Sequence, residues 1–366
     1  MEKITSKQLG FIIAALTIVS LKTYPTIYIV NGERDTWIAM IIASAIILLY
    51  LILSLKFFKN VGTYDLYTIY IKSFGKIIGT ILYALYIFSL MTTLIECAGI
   101  ESSSMHTNLL LETPIWYLLI FLTLPAIYVV KKGLRSIISV TLIGIILMTM
   151  AGINLGILTS TYKHSYYVFP VFQKVFSLDF LICIGKILGL YAHLTLAFPY
   201  IEHIEDKSKL LKHSIIGMIF VIQMQIVSVL GMLSTFQIER LKRLVYPKLT
   251  QTQLVSYWRF LESGEFFVML QTIGGWYVKY ILILNITLAA LQKIKVRSKY
   301  NIYIITLIIF GLTNYIADDL LFFFEYLNLF SFNSLINFLI IPIIAMIIFK
   351  FKNKKKPLQK RADLPS

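Results

Sequence analysis

The sequence predicts an all-α integral membrane protein of about ten transmembrane helices, in a five-plus-five inverted repeat with broken helices 1 and 6. Three observations carry that expectation. Apolar residues gather in blocks of about twenty, basic residues are shared unevenly between the connections, and the first block of each half is interrupted at comparable depth. Of 366 residues, 58% are hydrophobic and only 14% are charged, whereas a soluble domain carries roughly 25% charge. In hydrocarbon every backbone N–H and C=O must be satisfied inside its own segment, so blocks of this length read as spanning helices. Tyr and Phe gather near the block ends, as interfacial belts do. The blocks fall at 9–30, 36–58, 77–104, 115–131, 137–158, 180–201, 213–236, 268–292, 301–324 and 332–350.

The formal charge of +16 follows the membrane. With a cytoplasmic N-terminus, 23 of the 34 Lys and Arg residues fall on the inner side and 8 on the outer side. Five of those eight lie in one long connection (237–267), where the positive-inside rule is weakest. Both termini are therefore expected in the cytoplasm, with the basic excess facing anionic headgroups. No basic domain stands off the membrane, which argues against a nucleic-acid partner. Cys97 and Cys183 both lie in spans and read as small buried thiols, without disulfide or metal spacing. The N-terminal block is too long for a signal peptide and reads as a retained first helix. The chain carries no phosphate loop, no metal-spaced His/Glu pair and no GxSxG elbow, so neither catalysis nor a cofactor is expected.

Residues 1–350 are expected to form a single transporter-like domain, with repeat one at about 9–158 and repeat two at about 180–350. The segment 237–267 reads as an outer lid, in which Leu254, Tyr257, Trp258 and Leu261 recur at helical spacing. Residues 351–366 read as a basic, disordered cytoplasmic tail.

Five is odd, so a duplicated half inserts with opposite topology. In span 1, Leu21-Lys22-Thr23-Tyr24-Pro25 interrupts the apolar run, and Pro25 disfavours helical geometry at Tyr24. In span 6, Gly185-Lys186 and Gly189-Leu190-Tyr191-Ala192-His193 bring glycines and polar groups to comparable depth. Unwinding frees N–H donors that suit a carboxylate and carbonyls that suit an ammonium or a small cation. A free amino acid offers both groups, although amines and small acids also fit.

Ionisable side chains in the bilayer each cost about 2.5–3.5 kcal/mol at a helix centre. Lys22 lies beside the span 1 break and Glu96 in the outward half of span 3. Either they pair, as ligand contacts or as a packing element alone, or Lys22 occupies the place of a coupling cation. Lys186 and Lys279, with Asp318 and Asp319, form a second candidate network, unless the aspartates reach the outer surface. His193 is read as a pH sensor, a ligand contact or a satisfied core residue. Asn285 and Thr287 in span 8 offer hydrogen bonds to a ligand or to a neighbouring helix.

Four local patterns then carry a family resemblance. They are Ile4-Thr5-Ser6-Lys7-Gln8-Leu9 running into span 1, and Tyr24-Pro25 followed by Gly32, Asp35 and Trp37. The others are Phe198-Pro199-Tyr200 with Asp206-Lys207, and Arg243-Leu244-Val245-Tyr246-Pro247 followed by Glu262 to Phe267 and Trp276. Together they resemble the B subunit of the spore nutrient germinant receptors, relatives of the amino acid–polyamine–organocation transporters. Two positions depart from that pattern. Val19-Ser20-Leu21-Lys22 stands where relatives often carry glycines, and Glu265 is followed by Phe266 and Phe267 rather than by arginine. The resemblance implies a ligand pocket lined by spans 1, 3, 6 and 8. Mapped here, that means Ser20, Leu21, Lys22, Thr23 and Tyr24, with Glu96 and Ile100, Gly189, Tyr191 and His193, and Asn285 and Thr287. It also implies A and C subunits as partners in the inner spore membrane, and nutrient sensing that triggers germination. A proton- or cation-coupled amino-acid permease is the alternative.

Overall fold

The computed structural model describes residues 3–255 and 265–354. Fifteen α-helices are present among the described residues: α1 (Ser6–Thr23), α2 (Thr26–Gly32), α3 (Thr36–Val61), α4 (Leu66–Phe74), α5 (Lys76–Asn108), α6 (Ile115–Lys131), α7 (Leu134–Leu158), α8 (Leu178–Tyr191), α9 (Leu210–Thr235), α10 (Ile238–Leu241), α11 (Pro247–Gln253), α12 (Glu265–Lys293), α13 (Asn301–Ala317), α14 (Leu320–Ser334) and α15 (Ile341–Lys354). A 3₁₀ segment, Ala192–His203, extends α8, and a π segment, Leu335–Ile340, joins α14 to α15. Extended pairing among the described residues is limited to one isolated bridge, Ile4 with Ile204.

Seven helical stretches are long and apolar enough to cross a membrane, and Ile115–Lys131 and Asn301–Ala317 are shorter apolar helices. With α1 they match the ten predicted blocks, and the chain is an all-α integral membrane protein. Its outer surface is correspondingly apolar: Leu307 is 73% exposed and Leu329 72% exposed, as suits a surface that meets hydrocarbon rather than water. Burial separates the centre of the bundle from its periphery. In the apolar 18-residue core of each stretch, 78% of residues are buried for Leu178–His203 and 67% for Phe267–Lys293, against 33% for Leu134–Leu158. These inner helices carry the buried His193 and Lys279.

Two faces bound the bundle. On the terminal face, Ile4 N donates to His203 O (3.0 Å) and Lys3 pairs with Glu205 (2.6 Å). Lys293 meets Asp65 (2.6 Å) on the same face. On the opposite face, both oxygens of buried Asp35 accept backbone N–H groups, from Phe172 and Lys174, each at 2.6 Å. That explains the aspartate of the Gly32/Asp35/Trp37 pattern. It pins the long connection after α7 onto the start of α3.

Three boundaries differ from expectation. Span 9 ends at Ala317 and the next helix starts at Leu320, so the turn lies at Asp318-Asp319 rather than at 325–331. Asp319 accepts from Leu321 N (2.8 Å) and Phe322 N (3.2 Å), and that cap sets the turn. Span 10 is therefore longer, and its π segment absorbs an extra residue. Span 6 is not broken at its glycines. It stays α-helical to Tyr191 and then tightens into the 3₁₀ segment. Gly189 serves packing instead: a Cβ there would lie 1.9 Å from Ser331 O, so only glycine lets α8 approach α14 this closely. Finally, α15 continues to Lys354. The rest of the predicted tail lies outside the described residues, as do Tyr257, Trp258 and Leu261 of the predicted lid.

Candidate functional site

The interruption in span 1 falls where Pro25 requires it. α1 ends at Thr23, Tyr24 leaves helical geometry (φ −124°, ψ 55°), and Pro25 starts α2. Several carbonyls at the end of α1 are then satisfied by the protein itself. Ile18 O accepts from Gln225 Nε2 (2.8 Å), Val19 O from Thr23 Oγ1 (2.9 Å) and Leu21 O from Tyr28 OH (2.6 Å). Leu21 O would otherwise face the N–H that Pro25 lacks, so inside a membrane the Tyr28 hydroxyl replaces that partner, and the other two bonds add to the helical ones. Leu21 and Thr23 thus serve the break itself.

Beside the break lies a network of charged and polar groups, fully enclosed. Lys279 of α12 donates to Glu96 Oε2 of α5 (2.7 Å), to Ser20 Oγ of α1 and to His193 Nδ1 of the 3₁₀ segment (3.3 Å). Tyr24 OH donates to the other oxygen, Glu96 Oε1. Ser20, Tyr24, Glu96, His193 and Lys279 all have 0% exposure. An ammonium has three N–H donors, and here all three have acceptors. Because Lys279 donates to Nδ1, the imidazole carries its proton on Nε2, which faces Ser334 Oγ at 3.4 Å. Aromatic rings close the rest of the space. Trp276 stacks on Tyr24 (6.2 Å, 21°) and lies 5.1 Å from the Lys279 ammonium, while Phe330 stacks on His193. A cation over an aromatic face gains a further attraction. The network ties spans 1, 3, 6, 8 and 10 together at one point.

Of the residues expected at the site, Ser20, Tyr24, Glu96 and His193 come together. Lys22 does not join them, and the expected Lys22–Glu96 pair is not formed. Residues two apart point about 200° apart around a helix, so Ser20 and Lys22 cannot face the same neighbour. Lys22 instead donates to Gln271 Oε1 (2.6 Å). Ile100 is fully buried in the core. Gly189 packs against α14, and Tyr191 OH meets Ser44 Oγ (2.9 Å). Asn285 Nδ2 donates to Tyr200 OH (3.3 Å), and Thr287 Oγ1 donates to Ile283 O of its own helix (2.8 Å). Both therefore bond within the protein.

The second network expected from sequence also dissolves. Lys186 donates to Ile27 O (2.9 Å) and Asn31 Oδ1 (2.7 Å) at the end of α2, while Asp319 caps α14. Sequence reasoning left Lys279 outside the central site and missed Ser334 and Phe330 there. One signal pointed to Lys279: Trp276 and Lys279 stand three apart, so they share a helix face.

No curated protein matches the chain. The profile of a family described as spore germination protein matches residues 3–323, which takes in α1 to α13 with the whole central network except Phe330 and Ser334. The chain belongs to the spore germination protein family.

Proposed function

We propose that this chain is the nutrient-binding transmembrane subunit of a spore germinant receptor, taking an amino acid or similar small nutrient at the span 1 break. The observation that carries this reading is the enclosed Lys279–Glu96 pair beside that break. A buried ion pair costs much desolvation and stabilises little, so its presence at an interrupted helix suits a role beyond packing. A free amino acid bears the same two charges. Its carboxylate can take Lys279 and its ammonium Glu96, exchanging one internal pair for two with the ligand. Such a ligand favours a state in which the pair is parted. Driving that equilibrium from 1:99 to 99:1 requires about 5.5 kcal/mol of differential affinity.

In this reading the protein makes and breaks no covalent bond. It sits in the inner spore membrane with both termini cytoplasmic, and A and C subunits read the state of the bundle. The test uses spores lacking the gene, screened against single amino acids, sugars and mixtures. Loss of response to particular nutrients, restored by the wild-type gene but not by Glu96→Gln with Lys279→Met, supports the receptor. The proton- or cation-coupled permease uses the same residues, and the ammonium already at the break argues against sodium coupling. Gradient-driven uptake into proteoliposomes would favour that alternative; saturable binding without flux would favour the receptor.

A further inference from the structure

Besides Lys186, three lysines away from the central network are buried or half-buried close to one another. Lys22 ends α1, Lys163 lies in the connection after α7, and Lys248 opens α11. Each is held by a neutral acceptor: Lys22 by Gln271 Oε1 (2.6 Å), Lys248 by Gln251 Oε1 (2.8 Å) and Lys163 by Gly156 O (3.2 Å). The glutamines are anchored in turn. Gln271 Nε2 donates to Met148 O (3.2 Å), and Gln251 Nε2 donates to Gly231 O (3.0 Å) and Thr235 Oγ1 (2.6 Å). Their oxygens are therefore fixed toward the ammonium groups. Lys163 lies against the same stretch of α9, its Cε 3.6 Å from where a Gly231 Cβ would stand.

Between Lys22 and Lys248 is a cavity of about 20 Å³, lined by those two lysines, Thr23, Gln271 and Thr272 on its polar side. That volume holds about one water-sized group. Among the described residues, none of the three ammonium groups is paired with a carboxylate. Among the described residues each has one hydrogen-bond acceptor for its three N–H donors. Burial, and after it the positive charges of Lys22 and Lys163, together push Lys248 down to about 7. Like charges gathered out of water repel, and a counter-charge relieves them.

We propose that this chamber is an anion subsite, which takes one small anionic group: a chloride ion or the carboxylate end of a solute. Lys22 and Lys248 supply the charge from two sides, Gln271 and Gln251 hold those two ammonium groups in place, and Lys163 adds to the field. The chamber is separate from the Lys279–Glu96 network, since Lys22 points away from Ser20. Its reading does not depend on the receptor reading.

The test is thermal unfolding of the purified full chain in sodium methanesulfonate, with chloride or acetate substituted at constant ionic strength. Chloride should raise Tm saturably by roughly 2–5 °C, and Lys248→Met should lose most of that rise. Acetate that stabilises and competes with chloride identifies a carboxylate as the occupant; stabilisation by chloride alone identifies the inorganic ion. An unchanged Tm in all three salts overturns the proposal whatever the variant does. So does a full chloride shift in Lys248→Met. Because the readout is stability of the purified protein, a germination response that fails leaves this result standing, and the reverse also holds.

Discussion

The central network and the basic chamber bury lysines in opposite ways. Lys279 has 0% exposure, and its three donors meet a carboxylate, a hydroxyl and an imidazole nitrogen. Among the described residues, Lys22, Lys163 and Lys248 meet amide and carbonyl oxygens and no carboxylate, and their charges act on one another. A buried charge needs both its hydrogen bonds and its neutralising partner. The first site contains both. The second contains only the hydrogen bonds, which leaves it open to an anion.

The largest test breaks the first site. Glu96→Gln leaves Lys279 enclosed without its counter-charge, and removing one partner of a buried pair costs about 3–5 kcal/mol. Thermal unfolding of the purified protein should register a large drop in Tm. Adding Lys279→Met to that variant should recover much of it, because a pair replaced by apolar groups is often neutral. A double variant as unstable as the single one would mean that the pair is not the source of the loss.

A second substitution probes how the helices bring the first site together. Gly189→Ala would place a methyl group 1.9 Å from Ser331 O and push α14 away from α8. Overpacking costs typically 1–3 kcal/mol, and the displaced α14 carries Phe330 and Ser334 away from His193. Measured stability should therefore fall without any change in charge.

The chamber predicts a pH signature. Lys248 stands at about 7 in the fold against 10.5 as an ordinary lysine, so between those values the unfolded chain binds more protons. Stability contributed by this residue therefore rises with pH from about 7 to 10.5, as the cost of burying its charge and then the repulsion from Lys22 and Lys163 are relieved, and is lowest below 7. The groups facing it are Lys22 on α1 and Lys163 beside α9, with Gln251, Gln271 and Thr272 uncharged. Chloride should flatten that slope, and its stabilising effect should weaken above pH 7. A chloride effect independent of pH would detach it from Lys248.

The smallest effect is expected away from both sites. Asn285→Ala removes one bond to Tyr200, worth about 1 kcal/mol, and it should leave the chloride shift and the nutrient response intact. A lost nutrient response would bring Asn285 back into the ligand site.

Much of this architecture was legible in the chain itself. Apolar block length located the spans, because a helix must satisfy its own backbone in lipid. Pro25 announced the break in span 1, because it lacks an N–H and restricts Tyr24. The turn at Asp318-Asp319 was missed because the aromatic run after it stays apolar, and the cap of Asp319 outweighs that continuity. The glycines of span 6 were misread for a related reason. A glycine marks either a weak helix or a close neighbour, and only the neighbour, Ser331, distinguishes them.

What the sequence alone determined, then, was the all-helical membrane fold, the family, the proline break and the fact that a buried Glu96 needs a cation. Tertiary structure decided which cation. Lys22 is close to Glu96 in depth, but it faces Gln271, whereas Lys279 arrives from another helix with the right rotation. Hydropathy encodes how deep a residue lies along the membrane normal. It does not encode which helices are neighbours or how each is turned about its axis, and those two quantities select the partners of every buried charge.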